Sequence, residues 1–402
     1  MVRLPPHRHS GNPVAAGAFE YALFRGGISA GSQENWYLRS TIIPGTAPAA
    51  PDPEESGDDI IRPPGPGVAP PTSGATPIIA GPGEVIPLYR IEVPTYSVVP
   101  PVARETVLAT LGTFHERRGE QSAVTNTSNF SAAWGRVFGQ SHDQSWDGTV
   151  SPAVVNGNLY GVQAGLDMLG HESDSGHYDV AGLFFGYSDF DADIKGDAVG
   201  WHNLRTGSID VDTTSFGGYW THIGPSNWYV DAVLMGSWFG GDATSSRDVG
   251  VDVDGSSITA SLEGGYPIEI VQDWNLEPQA QLIWQDLSLD NQSDRFSDVA
   301  FDADNGFTGR LGLRLQGKYK TASGLLQPYL KMNLWHDFSG TDTVLFGSDS
   351  ITTEVKSTSL ELGAGVTHDF TKGVSAFAVA DYTFDVDGAN LDVFEGNVGL
   401  RV

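Results

Sequence analysis

The sequence predicts an all-β fold: a twelve-stranded antiparallel transmembrane β-barrel with one α-helix in its lumen, preceded by a β-helix remnant and a disordered linker. Three observations predict it. From about Asn129 to Val402, apolar and polar side chains alternate with period two. Aromatics close the apolar faces ten residues apart, Trp274 with Trp284 and Trp228 with Trp238. One charged helix of membrane-crossing length precedes the strands.

Composition limits the partners. The net charge of -28 argues against nucleic acid. No apolar run is long enough for a transmembrane helix. The chain has no cysteine, so it has no disulfide framework and no thiol chemistry. The opening MVRLPPHRHSGNP has no apolar core and is not a signal peptide, so an exported protein of this sequence is expected to be a fragment of a longer chain.

Residues 1–40 hold a short β-like piece. Phe19, Tyr21 and Leu23 alternate with polar or small residues, and Trp36 and Leu38 repeat the pattern. Gly27-Ile28-Ser29-Ala30-Gly31 fits G-x-S-x-G, but a strand-like stretch follows where a nucleophile elbow needs a helix, so it reads as a turn. Residues 41–100 form a linker and junction: 15 of the 23 prolines lie between Pro44 and Pro101. The more apolar stretch Ile86 to Tyr96 is expected to pack before the helix starts.

The helix is expected at 101–121. It starts with Pro101 in its first turn and spaces Val107, Leu111 and Phe114 at i, i+4, i+7. Its length is roughly 28 Å. Arg104, Glu105, His115, Glu116, Arg117 and Arg118 bar it from lipid, so it needs an enclosed polar place.

Residues 128–402 supply that place. Strands are expected at 131–140, 158–168, 178–188, 213–221, 227–239, 257–269, 273–287, 306–319, 325–338, 354–369, 373–385 and 392–402. Ten residues at ~3.3 Å each, tilted about 40°, rise roughly 25 Å, the apolar height of an outer-membrane barrel. The opposite faces carry Glu263, Glu277, Arg310, Arg314, Lys331 and Glu361, which suit a water-filled lumen and would be costly in a dry sandwich core. These six are expected to pair with Glu105, Glu116, Arg117 and Arg118 of the helix. Connections after even strands are short and those after odd strands are mostly long. By that parity strand one starts on the periplasmic side, the helix runs inward through the lumen, and residues 1–85 stand outside the cell.

The chain resembles the C-terminal part of monomeric autotransporters of the pertactin type. The most specific match is Leu88 to Glu120, LYRIEVPTYSVVPPVARETVLATLGTFHERRGE, which is similar to the family's junction and pore helix. Phe19 to Ser40 looks like the end of a β-helical passenger. Trp134 to Gly139 (WGRVFG), Trp228 to Val233 (WYVDAV), Thr308 to Gly312 (TGRLG) and Gln327 to Leu330 (QPYL) add to it. The resemblance implies a monomeric outer-membrane translocator that exports and anchors its own passenger, with membrane lipid and the barrel-assembly machinery as partners. Two features depart from the family: the chain ends in Arg401-Val402 rather than an aromatic residue, and the helix lacks the Asn-Asn pair of self-cleaving members.

No catalytic residue, metal site or cofactor is expected. The ten histidines show no ligand spacing. Asp252 to Gly255 and Asp302 to Gly306 lack the remaining ligands of a calcium loop. The enzyme alternative, an outer-membrane barrel hydrolase, would have to build on His336-Asp337 or His368-Asp369. A simple porin is the other alternative; the obstructing helix argues against it.

Overall fold

The computed structural model describes residues 14–25, 31, 35–42, 74–82, 84–120, 132–150, 153–371, 374–388 and 390–402. Twelve strands run up and down around a closed ring: β1 (Ala133–Trp146), β2 (Ala153–Glu172), β3 (Tyr178–Ala198), β4 (Trp201–Ile223), β5 (Tyr229–Ser245), β6 (Gly255–Gly265), β7 (Trp274–Leu289), β8 (Gly306–Gly317), β9 (Gly324–Asp337), β10 (Ser357–Thr371), β11 (Val374–Asp387) and β12 (Leu391–Arg401). Each pairs antiparallel with the next. The ring closes where β12 pairs β1, from Leu391↔Gln144 to Arg401↔Trp134. The expected count of twelve therefore holds.

Alternation sets the faces as expected. On β8, Leu311 and Leu313 face out and are exposed, while Arg310 and Arg314 face in and are buried. Leu330, Met332 and Leu334 continue the outer belt on β9. On β3 the same parity persists past the belt but its chemistry inverts. Leu183, Phe185 and Tyr187 face out, and the next outward residues are Asp189, Asp191 and Asp193. Inward at that level lie Phe190, Ala192 and Ile194, all buried. This corrects the expected strand ends. The residues between 188 and 213 are not a loop but β3 and β4 continuing to a two-residue turn, Val199-Gly200, both at positive φ. Their Asp-rich outer face disguised the alternation.

The other long connections also hold structure. Gln292–Ser293, Asp298–Asp302, Thr341–Phe346 and Asp349–Glu354 form a four-stranded sheet over the mouth of the ring. The β structure expected in residues 17–40 is present as a three-stranded antiparallel sheet of Val14–Ala16, Phe19–Arg25 and Trp36–Arg39, where a β-helix remnant would stack its strands in parallel. It docks on the same mouth, with Ala18 N donating to Asp349 Oδ2 at 3.1 Å and Phe19 stacked on Tyr89. As expected, Ile86–Pro87 packs: it pairs Thr41–Ile42. The G-x-S-x-G stretch lies outside the described residues except for Gly31, as does most of the proline linker.

Inside the ring, bare glycines receive large rings from neighbouring strands. A Cβ on Gly165 would strike the Trp134 indole, and one on Gly161 would strike the Phe138 ring. We predict that Gly165→Val lowers stability by about 1–3 kcal/mol through overpacking. The check is the urea midpoint of the boiling-dependent gel shift; an unchanged midpoint would contradict the packing.

Candidate functional site

The helix that fills the ring is longer than expected and has two breaks. It comprises α1 (Glu92–Ser97), α2 (Val99–Leu111) and α3 (Phe114–Arg118). It begins ten residues before Val102 because Pro94, Pro100 and Pro101 all sit in first turns, where no N–H is needed. Gly112, at φ +57°, ends α2. Thr113 then starts α3 with a capping box: Glu116 N donates to Thr113 Oγ1, and Thr113 N donates to Glu116 Oε2 at 2.9 Å. The G-T-x-x-E sequence carried that signal.

The mouth level is tied by charge. Arg90 is fully buried; it donates to Gly17 O at 2.7 Å and Ser297 Oγ at 3.1 Å, and it pairs with Asp294. Arg247, in the turn after β5, reaches both oxygens of Glu92 at 2.7 Å and Glu20 at 2.9 Å. Burial pushes the Glu20 carboxyl above its usual range, and the Arg247 charge pulls the other way. Below this clamp the lumen is not the water-filled space expected. Val93, Tyr96, Val99 and Val102 pack in one core with Phe190, Ile209, Val211 and Phe239.

The polar grip lies lower. Arg136 of β1 donates to the carbonyls of Thr110 and Ala109 at 2.8 and 3.0 Å, capping the negative end of α2. Glu263 accepts Phe114 N at 2.8 Å at the start of α3, and it also holds Arg310 at 2.9 Å and Tyr229 OH at 2.6 Å. His115 Nε2 meets Glu277 at 2.7 Å. Lys331 holds Glu116 at 2.6 Å, Glu361 at 2.8 Å and Asp381 at 2.9 Å. Arg314 pairs with Glu120 at 2.8 Å. Arg118 pairs with Asp167 at 2.8 Å, and Arg117 pairs with Asp231.

All six expected barrel charges therefore face inward. Glu263, Glu277 and Lys331 touch the helix segment 114–118, Arg314 touches Glu120 just beyond it, and Arg310 and Glu361 act through Glu263 and Lys331. The expected partners of Arg117 and Arg118 were wrong: Asp231 and Asp167 hold them. Arg104 turns to the mouth, to Asp342 at 3.0 Å and Asp304 O at 2.9 Å. Glu105 meets His142 at 3.7 Å rather than a wall cation. Asp167, Asp231 and Asp381 could have been found as acids at inward parity in their strands.

The girdle residues all lie outward. Trp238 and Trp284 are exposed. Trp274 meets Tyr319 edge-on, and Trp228 packs on His222 at the short-turn end. Of the hydrolase candidates, His336 Nδ1 meets Thr358 Oγ1 at 2.8 Å and His368 Nε2 meets Ser323 Oγ at 3.1 Å. Among the described residues His368 Nδ1 has no hydrogen-bond partner, so no acid among them orients that ring.

Comparison with known proteins agrees with this geometry. A family model described as the autotransporter beta-domain matches residues 133–381, more than half of the chain. The adhesin BmaC autotransporter of Brucella suis is 27% identical over 97% of this chain, which covers 11% of that protein. The BrkA autotransporter of Bordetella pertussis is 29% identical over 62% of this chain, with 24% of its own length covered. This chain thus spans about a tenth to a quarter of the length of these curated relatives. The transport unit of AIDA-I from Escherichia coli matches the fold at TM-score 0.64 and 18% identity, covering 78% of this chain and 98% of that one. The beta domain of the Bordetella autotransporter BrkA matches at TM-score 0.53 and 24% identity, covering 68% and 99%. A closed twelve-stranded ring with a helix through it, matched by that family model, means that this chain belongs to the autotransporter β-domain family.

Proposed function

We propose that α1 to α3 are the retained plug of the export pore. Residues 1–40 are the end of the passenger at the cell surface, 41–100 the linker and junction, 101–121 with the preceding turns of α1 and α2 the plug, and 128–402 the translocator wall. Trp228 and Trp274 mark the periplasmic interface, and Trp238 and Trp284 the outer one. The barrel works as a monomer, and the assembly machinery inserts it. The activity is transport and anchoring, with no catalytic step. The observation that supports this reading best is directional. α1 lies among the long hairpins and joins the sheet docked on the mouth, while α3 lies near the short turns.

Two measurements test it. In planar bilayers the whole chain should conduct weakly, and a chain lacking 92–118 should conduct several-fold more; equal conductance would refute the plug. In cells, an epitope placed before Val14 behind an added signal peptide should be removed by external protease while the barrel survives. Protection of the epitope would reverse the orientation.

The Lys331 cluster gives a stability test. Lys331→Met leaves Glu116, Glu361 and Asp381 buried without their cation and should cost about 3–5 kcal/mol. Adding Glu116→Gln should recover part of the loss. A double mutant no better than the single would show that Glu116 is not coupled to Lys331.

A further inference from the structure

The histidines show no ligand spacing along the sequence, yet the fold brings two of them face to face. At the short-turn end of the ring, His177 closes the turn that leads into β3, and His222 stands near the end of β4. The pairings His222↔Asp179 and Ile223↔Tyr178 set them side by side. His222 Nε2 lies 3.1 Å from His177 Nδ1, although the two residues are 45 apart in the chain. Trp228, just past the β4–β5 turn, packs on both rings. His177 N donates to Ser173 Oγ at 3.1 Å, which ties its own turn down.

The neighbours decide where the protons sit. Asp179 Oδ1 accepts from His222 Nδ1 at 2.9 Å and from Trp220 Nε1 at 3.0 Å. A neutral imidazole carries one proton, so His222 Nε2 is a lone pair aimed at His177. With no ion bound, His177 Nδ1 donates to it. A carboxylate on the far nitrogen is also what orients a metal-bound histidine and raises the basicity of its ligating nitrogen. Two nitrogens bound at ~2.0–2.1 Å to a tetrahedral ion lie about 3.3–3.4 Å apart, so a small opening turns this pair into a chelate. The pair is reached from solvent, since the His222 side chain is 20% exposed and that of Asp179 is 35% exposed.

We propose that His177 Nδ1 and His222 Nε2 bind a divalent transition-metal ion, with Zn²⁺ the best fit and water in its remaining positions. On binding, His177 shifts its proton from Nδ1 to Nε2, and both rings coordinate as neutral imidazoles. Imidazole donors select such an ion over Mg²⁺ and Ca²⁺, which take oxygen ligands. The bound ion joins the β2–β3 turn to the end of β4.

The test is isothermal titration of the detergent-refolded chain with Zn²⁺ and, separately, with Mg²⁺. It is run on the parent chain and on a His7→Ala/His9→Ala variant, which removes another close histidine pair in the sequence. That variant should still bind one equivalent of Zn²⁺, with Mg²⁺ at least tenfold weaker. Adding His177→Ala or His222→Ala should each weaken Zn²⁺ binding at least tenfold. Adding His202→Ala, which removes a histidine paired with Asp197, should change nothing. The faster migration of unheated protein confirms that each variant is folded. A second measurement needs no change at the site: Cu²⁺ bound to the His7→Ala/His9→Ala variant should show electron-spin splitting from two imidazole nitrogens. Loss of Zn²⁺ binding with His7 and His9, equal binding of Mg²⁺, parental affinity in folded His177→Ala or His222→Ala, weakened binding in His202→Ala, or a Cu²⁺ spectrum without the two-nitrogen splitting would overturn the proposal.

Discussion

In hydrocarbon a backbone N–H or C=O that lacks a partner finds no water to replace it, and each such group costs several kcal/mol. The pairing of β12 with β1 answers this constraint, because it removes the last free edge of the sheet. Once the ring is closed, the rest of the architecture is constrained. The outward face must be apolar across the belt, and the inward face must find something to pack against. A ring of this size leaves a lumen wide enough for a helix, and a helix satisfies its own backbone wherever it lies.

Two kinds of packing hold that helix at two levels. Near the mouth, α1 and the start of α2 lie against apolar side chains of the long β3–β4 hairpin and of β5. Lower down, α3 is gripped by charge: Glu116, Arg117, Arg118 and, just beyond it, Glu120 each meet an opposite charge on the wall, and His115 meets Glu277. Buried pairs of this kind contribute little net stability, but they are expensive to break one partner at a time. Register and rotation of α3 are therefore fixed more strongly than its affinity is raised. The break at Gly112-Thr113 lets α3 take its own orientation, independent of α2, and Glu263 and Arg136 satisfy the backbone ends that the break exposes.

The outer rim shows the strand period outlasting its chemistry. Across the belt β3 presents leucine and aromatic residues outward and Phe184, Gly186 and Ser188 inward. One step higher it presents aspartates outward and phenylalanine and isoleucine inward. The backbone continues unchanged while the surroundings change from lipid to water outside and from polar lumen to apolar plug inside. A window judged only by whether its apolar residues face lipid reads this segment as a loop.

Sequence alone determined the strand count, the alternating faces of the later strands, the presence of one enclosed helix and the inward position of the six wall charges. Each depends on a local period of two or on the cost of charge in lipid, and both are written residue by residue. Tertiary structure alone decided which charges meet. Arg117 finds Asp231, Arg118 finds Asp167, and Arg104 leaves the lumen for Asp342 because strand stagger and helix rotation set those distances. The eccentric seat of α2 was also beyond the sequence. α2 packs on β2 to β5 and on β7, strands distant in the chain that no single window contains.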